Sequence, residues 1–161
     1  MSRLNFGLIG AGRIGRIHAE NLVRHVPKAN LETVVDLSLE AAERCAADFQ
    51  IPSFSCDVEK ILNNKLIDAV VICSGTPTHT DLIIGAASAG KHIFCEKPIA
   101  LELQQIDKAI QAVSDKQVKL QVGFNRRFDP SFRQVRDLVA AGKIGKPHIV
   151  RLTSRDPKPP S

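Results

Sequence analysis

"LNFGLIGAGRIGRIHAENL", residues 4–22, holds the reading that decides the fold. A short apolar run from Leu4 to Gly10 gives way to apolar positions at helical spacing, with Ile14, Ile17, His18 and Leu22 along one face. Between them lies GxGxxG, formed by Gly10, Gly12 and Gly15. Gly10 allows a tight turn, Gly12 lets a pyrophosphate approach the backbone, and Gly15 lets helix pack on sheet. The helix start adds unpaired N–H groups and a partial positive charge at the same point. The hexapeptide alone is a weak signal; its place between a strand and a helix gives it weight.

The pattern continues outward. "LETVVDL" (31–37), "DAVVICS" (68–74), "KHIFCE" (91–96) and "VKLQVGF" (118–124) are short runs that suit strands buried on both faces, as in a parallel sheet. "SFSC" (53–56) is a weaker third strand. Between the runs, "LEAAERCAADF", "TDLIIGAASAG" and "LQQIDKAIQAVSD" keep a helical period, the second closed by Gly90. The alternation predicts a doubly wound α/β fold over residues 1–124: a parallel Rossmann sheet with helices on both faces and right-handed crossovers. From residue 125 the pattern changes. "DPSFRQVRDLVAAGKIG" reads as a helix opened by Asp-Pro and ended by glycine. "KPHIVRLTSR" then alternates with period two, which predicts a strand near residues 147–155 with no successor to pair with. Residues 125–161 therefore read as a connecting helix and the first strand of a second, truncated α+β domain. Such an edge makes a homo-oligomer an expectation.

Composition narrows the function. With 161 residues, 43% apolar and 24% charged, the chain holds one ordinary core. No apolar run approaches the roughly 18 residues of a membrane span, and the N-terminus does not read as a signal peptide, so a cytoplasmic protein without membrane contact is expected. Four scattered cysteines without a CxxC pair fit a reducing compartment and argue against metal or disulfides. The net charge of +5 is uneven: residues 1–122 carry 13 basic against 14 acidic side chains, residues 123–161 carry 9 against 3. A basic tail raises nucleic acid as a partner. Its aromatics, however, are only Phe124, Phe128 and Phe132, and its charges are spread singly, so an anionic cofactor or a partner surface accounts for it better.

Asp36 closes the second strand 21 residues after Gly15. A carboxylate there accepts from both ribose hydroxyls and repels a 2′-phosphate, which favours NAD over NADP. The bland alternative is that Asp36 caps the next helix, although Ser38 can take that role. "CSGTPTHTDL" (73–82) follows the fourth strand on the sheet edge where ligands bind. There His79 either touches cofactor or merely occupies the first helical turn. In "IFCEKPIA" (93–100), Lys97 ends the fifth strand on the same edge, restricted by Pro98. Its ammonium could stabilise the oxyanion of a hydride transfer. The competing reading is a surface lysine paired with Glu96; position on the cofactor edge favours the first.

Together "GLIGAGRIGRIHAENL", "TPTHTDLIIGAASAGKHIFCEKPIA" and "VGFNRRFDPSF" resemble the Gfo/Idh/MocA family of nicotinamide-dependent oxidoreductases, the last part looking most like inositol 2-dehydrogenases. The resemblance covers essentially the whole chain but only the first half of the family's architecture. It implies an NAD-dependent enzyme that oxidises a polyol or sugar hydroxyl, myo-inositol favoured. Lys97 would be the catalytic residue reaching substrate and nicotinamide, with Glu96 helping to hold the ribose or nicotinamide end. Gly10, Gly12, Arg13, Ile14, Gly15 and Asp36 would bind cofactor, with Thr76, His79 and Asn125 near it. Arg127 and Asp156 would face the polyol. The family's general base is the histidine of a D-x-x-x-H motif. None of His18, His25, His79, His92 and His148 has an aspartate four residues before it. The resemblance therefore implies a chain that binds NAD weakly and turns over little or nothing. The alternative is a non-catalytic NAD-binding or regulatory module that pairs with a full-length relative.

Overall fold

The computed structural model describes residues 3–153 and residue 155. Two compact units divide the chain, one ending at Gly123 and the other beginning at Phe124.

The first unit is a six-stranded, wholly parallel sheet. Its strands are β1 (Leu4–Ile9), β2 (Ala29–Val35), β3 (Ser53–Ser55), β4 (Ala69–Ile72), β5 (His92–Cys95) and β6 (Leu120–Val122), in the order β3-β2-β1-β4-β5-β6. The helices between them are α1 (Arg13–His25), α2 (Leu39–Phe49), the single turn α3 (Glu59–Leu62), α4 (His79–Ser88) and α5 (Leu103–Asp115). The strand order reverses between β1 and β4, and an open sheet of this kind leaves its crevice at that switch point.

The apolar runs were continuous because the sheet is covered twice. Successive residues serve opposite faces: Ile9, Val35, Val70 and Ile72 join one buried cluster, while Leu8, Val34 and Val71 join the other. α1 turns inward most of the stripe read in the sequence: Ile14 and Leu22 pack against the core and His18 is half-buried. Ile17 is exposed, and the buried positions are the small Gly15 and Ala19, which let the helix axis approach the sheet.

The second unit holds α6 (Pro130–Ala140), preceded by a 3₁₀ turn, Asn125–Arg127. Asp129 caps α6, its Oδ1 accepting the N–H groups of Ser131 at 2.9 Å and Phe132 at 3.1 Å. The strand expected near residues 147–155 does not form over 147–153: these residues have no ladder among the described residues. Period-two alternation chooses a face, but an extended segment without a neighbour has nothing to take its N–H and C=O groups.

Candidate functional site

The carboxyl edge of the sheet is built from the glycine turn upward. Gly10 has φ +101°, and a Cβ there would lie 2.6 Å from the Cys73 carbonyl carbon, so β1 can turn beside β4 only with glycine. A Cβ on Gly15 would overlap the Gly10 carbonyl oxygen. Gly12 is different in kind: a Cβ there would meet nothing within 4 Å. It is the N-cap of α1, with no side-chain cap and no acidic residue in the first turn. The first N–H groups of α1 therefore face open space with the positive end of the helix behind them. A diphosphate fits that cradle.

Asp36 locks the turn from β2. Its Oδ2 accepts the Ala11 N–H at 2.7 Å and its Oδ1 accepts the Ser38 N–H at 2.9 Å. Ser38 is the cap of α2, its Oγ accepting the Ala41 N–H at 3.2 Å. Asp36 thus serves the loop without capping the helix itself, and each carboxylate oxygen keeps a further lone-pair site for a hydroxyl donor. Beside it opens a cleft of about 510 Å³, walled by Gly10, Asp36, Cys56, Ser74, Gly75 and Thr78. Ser74, Gly75 and Thr78 belong to the "CSGTPTHTDL" stretch that the sequence places at this edge, though they are not singled out there as site residues, while Cys56 after β3 had no signal.

Thr76 stands in a 3₁₀ turn, Thr76–Thr78, and opens on a separate hollow of about 250 Å³ shared with Pro77, Ala100 and Gln105. His79 lies at the first turn of α4. It is 1% exposed, with Nδ1 2.8 Å from the Pro98 carbonyl oxygen and Nε2 3.0 Å from that of Ser74. Both ring nitrogens thus face backbone carbonyls. Ile14 packs against the buried cluster on the α1 side, and Arg13 is exposed at the first turn.

Lys97 is exposed, and its ammonium has no hydrogen bond or ion pair among the described residues. The surface pair with Glu96 does not form. The Glu96 carboxylate faces α1, with Oε1 2.8 Å from His18 Nε2, while its Oε2 accepts the Lys97 backbone N–H at 3.3 Å. Two thiols lie behind this loop. Burial, then the charges of Glu96 and Cys95, push the Cys73 thiol far above its ordinary 9.0; burial, then Glu96, pushes Cys95 up to about 12. Neither is a nucleophile near neutrality.

In the second unit, Arg127 and its neighbours Arg126, Phe128, Phe132, Arg133 and Arg136 line a hollow of about 650 Å³. Asn125 opens the 3₁₀ turn beside them. Asp156 lies outside the described residues. Among the described residues no group of three or more His, Cys, Asp or Glu could hold a metal, and no helix is long and apolar enough to cross a membrane.

Three comparisons follow this geometry. The profile of the Gfo/Idh/MocA oxidoreductase family, NAD-binding Rossmann fold, matches residues 4–124. Inositol 2-dehydrogenase of Rhizobium meliloti is 46% identical over 160 residues, which are 98% of this chain and 47% of that protein. A crystal structure of a probable dehydrogenase from Thermotoga maritima is similar at TM-score 0.93 and 42% identity, covering 98% of this chain and 47% of its own. That of scyllo-inositol dehydrogenase from Lactobacillus casei, with bound NAD(H) and scyllo-inositol, is similar at TM-score 0.85 and 34% identity, covering 89% of this chain and 43% of its own. The chain spans about half the length of the relatives it matches.

Proposed function

The chain belongs to the Gfo/Idh/MocA oxidoreductase family with its NAD-binding Rossmann fold, and from that premise we propose that residues 1–161 are the nicotinamide-binding part of an NAD-dependent dehydrogenase acting on a polyol hydroxyl, myo-inositol first among candidates. The observation that carries this reading is an open cradle at Gly12 and, at the same sheet edge, a Lys97 ammonium with no partner among the described residues. The names of the relatives support the polyol.

Bound nicotinamide supplies the hydride acceptor for the CH–OH carbon. The chain's own residues bind and orient. The first N–H groups of α1 and the bare Gly12 backbone hold the diphosphate. Asp36 takes ribose hydroxyls, and its charge opposes a 2′-phosphate. Lys97 donates a hydrogen bond to the substrate oxygen and stabilises the negative charge that develops as hydride leaves carbon. The hydroxyl proton needs a base, and the D-x-x-x-H motif that would supply it does not occur in these 161 residues. A missing general base costs about 10²–10⁴ in rate. These residues alone are expected to bind NAD and turn over inositol only in traces.

Calorimetric titration with NAD and NADP tests the first statement. NAD is expected to bind more tightly; tighter NADP binding overturns the role of Asp36. Steady NADH formation from NAD and myo-inositol by the 161-residue chain would remove the account of the base.

A further inference from the structure

Lys97 stands between two residues, each tied to a different helix. Before it, the Glu96 carboxylate accepts from His18 Nε2 of α1 at 2.8 Å and from the Lys97 N–H at 3.3 Å. After it, the Pro98 carbonyl oxygen lies 2.8 Å from His79 Nδ1 of α4. The His18 ring packs tilted on Phe94 of β5, centroids 5.0 Å apart, which fixes the direction of its nitrogen. The His79 ring is buried, and its other nitrogen faces the Ser74 carbonyl in the wall of the cleft. Pro98 restricts φ and ψ locally but does not anchor the loop to anything. With its ammonium unpartnered among the described residues, Lys97 takes its position there from its backbone.

We propose that His18 and His79 are paired positioning residues that set Lys97 against the dinucleotide edge. Each tether leads to an element of that edge. His18 rides on α1, whose N-terminus is the Gly12 cradle, so one rigid helix fixes the spacing from cradle to Glu96. With the proton on Nδ1, His79 donates to the Pro98 carbonyl and ties the loop after β5 to the start of α4, the helix that follows the loop after β4. The functional weight of Lys97 rests on the reading above, but the tethers can be tested without turnover.

The two histidines use different ring nitrogens toward the loop, and this makes the test sharp. The amide nitrogen of glutamine falls near the place of imidazole Nε2, and that of asparagine near Nδ1. His18→Gln and His79→Asn should keep the tethers; His18→Asn and His79→Gln should lose them. In ¹⁵N-labelled chain, relaxation measurements are expected to give the Lys97 amide an order parameter near the rigid value of about 0.85 in the wild type and the first two variants. It should fall below about 0.6 in the other two. The Val71 amide in the core serves as control. Equal Lys97 order in all four variants, or loss at Val71 to the same extent, overturns the proposal. Should the buried His79 not tolerate replacement, the His18 pair decides alone: loosening by asparagine and not by glutamine supports the tether, and no difference sinks it. Wild-type titration with NAD is run beside it. Failure to bind NAD would defeat the proposed function and leave the order comparison standing.

Discussion

The three glycines of one hexapeptide carry three different constraints, and a methyl group separates them. At Gly12 φ is −69°, which any residue adopts, and the added carbon would point into open space. Gly12→Ala should fold with an unchanged urea midpoint yet bind NAD at least about tenfold more weakly, because the methyl occupies room the diphosphate needs. Gly15→Ala should do the reverse. Its carbon overlaps the Gly10 carbonyl, so the cost falls on the fold, about 1–3 kcal/mol as for other overpacked sites. Denaturation and calorimetry on the two variants separate the effects. Wild-type affinity in Gly12→Ala, or wild-type stability in Gly15→Ala, contradicts the assignment. Lys97 makes the complementary point: its place at the end of β5 was legible in the tripeptide, while the side chains that hold its neighbours Glu96 and Pro98 were not. His18 lies 78 residues from Glu96, and His79 lies 19 from Pro98. Contacts at such separations leave no periodic trace in sequence.

At the scale of elements, the central strands were legible because a doubly covered parallel strand reads as a near-continuous apolar run. β4 is buried at all four positions, whereas the edge strand β3, Ser-Phe-Ser, is mostly exposed and left a weaker signal. The expected strand after residue 146 shows the limit, since alternation marks a face and a ladder needs a neighbour. On α1 one position of the stripe read in the sequence, Ile17, stays outside the covered face, while Ile14 and Leu22 pack on the core. Large side chains dominate a helical pattern, yet this helix packs closely through Gly15 and Ala19. Strand ends also bring the buried thiols together, and pH dependence follows. Cys73 ends the run through β4 and Cys95 ends β5, and the fold holds both protonated above their ordinary 9.0. A group whose folded value is raised contributes stability that is complete below its unfolded value and lost as pH climbs through the folded one. The stabilisation is therefore intact below pH 9 and drains from pH 9 toward about 12. Urea midpoints should fall over the accessible part of that range, and Cys95→Ala should flatten the decline. The same slope in the variant as in the wild type would exclude Cys95 as its source.

Over the whole chain, charge and burial divide at the same place. The basic excess lies beyond residue 122, and among the described residues of the second unit none is buried. Within the second unit α6 is amphipathic, with Val135 62% and Leu138 44% exposed, and Phe128 before the helix and Ile149 after it are 69% and 90% exposed. An apolar surface in water is driven to meet another, at roughly 25 cal/mol per Å² removed from solvent. Exposed patches of this kind mark interaction sites. The first unit, by contrast, buries clusters on both sheet faces and needs no further cover there. Sedimentation velocity over a concentration series should then show the 161-residue chain associating as concentration rises, while a chain ending at Gly123 stays monomeric. Because the second unit is strongly basic, self-repulsion opposes the contact, and added salt should strengthen association by screening it. A single species of monomer mass for the full chain at every concentration and salt level would show that these side chains do not drive assembly.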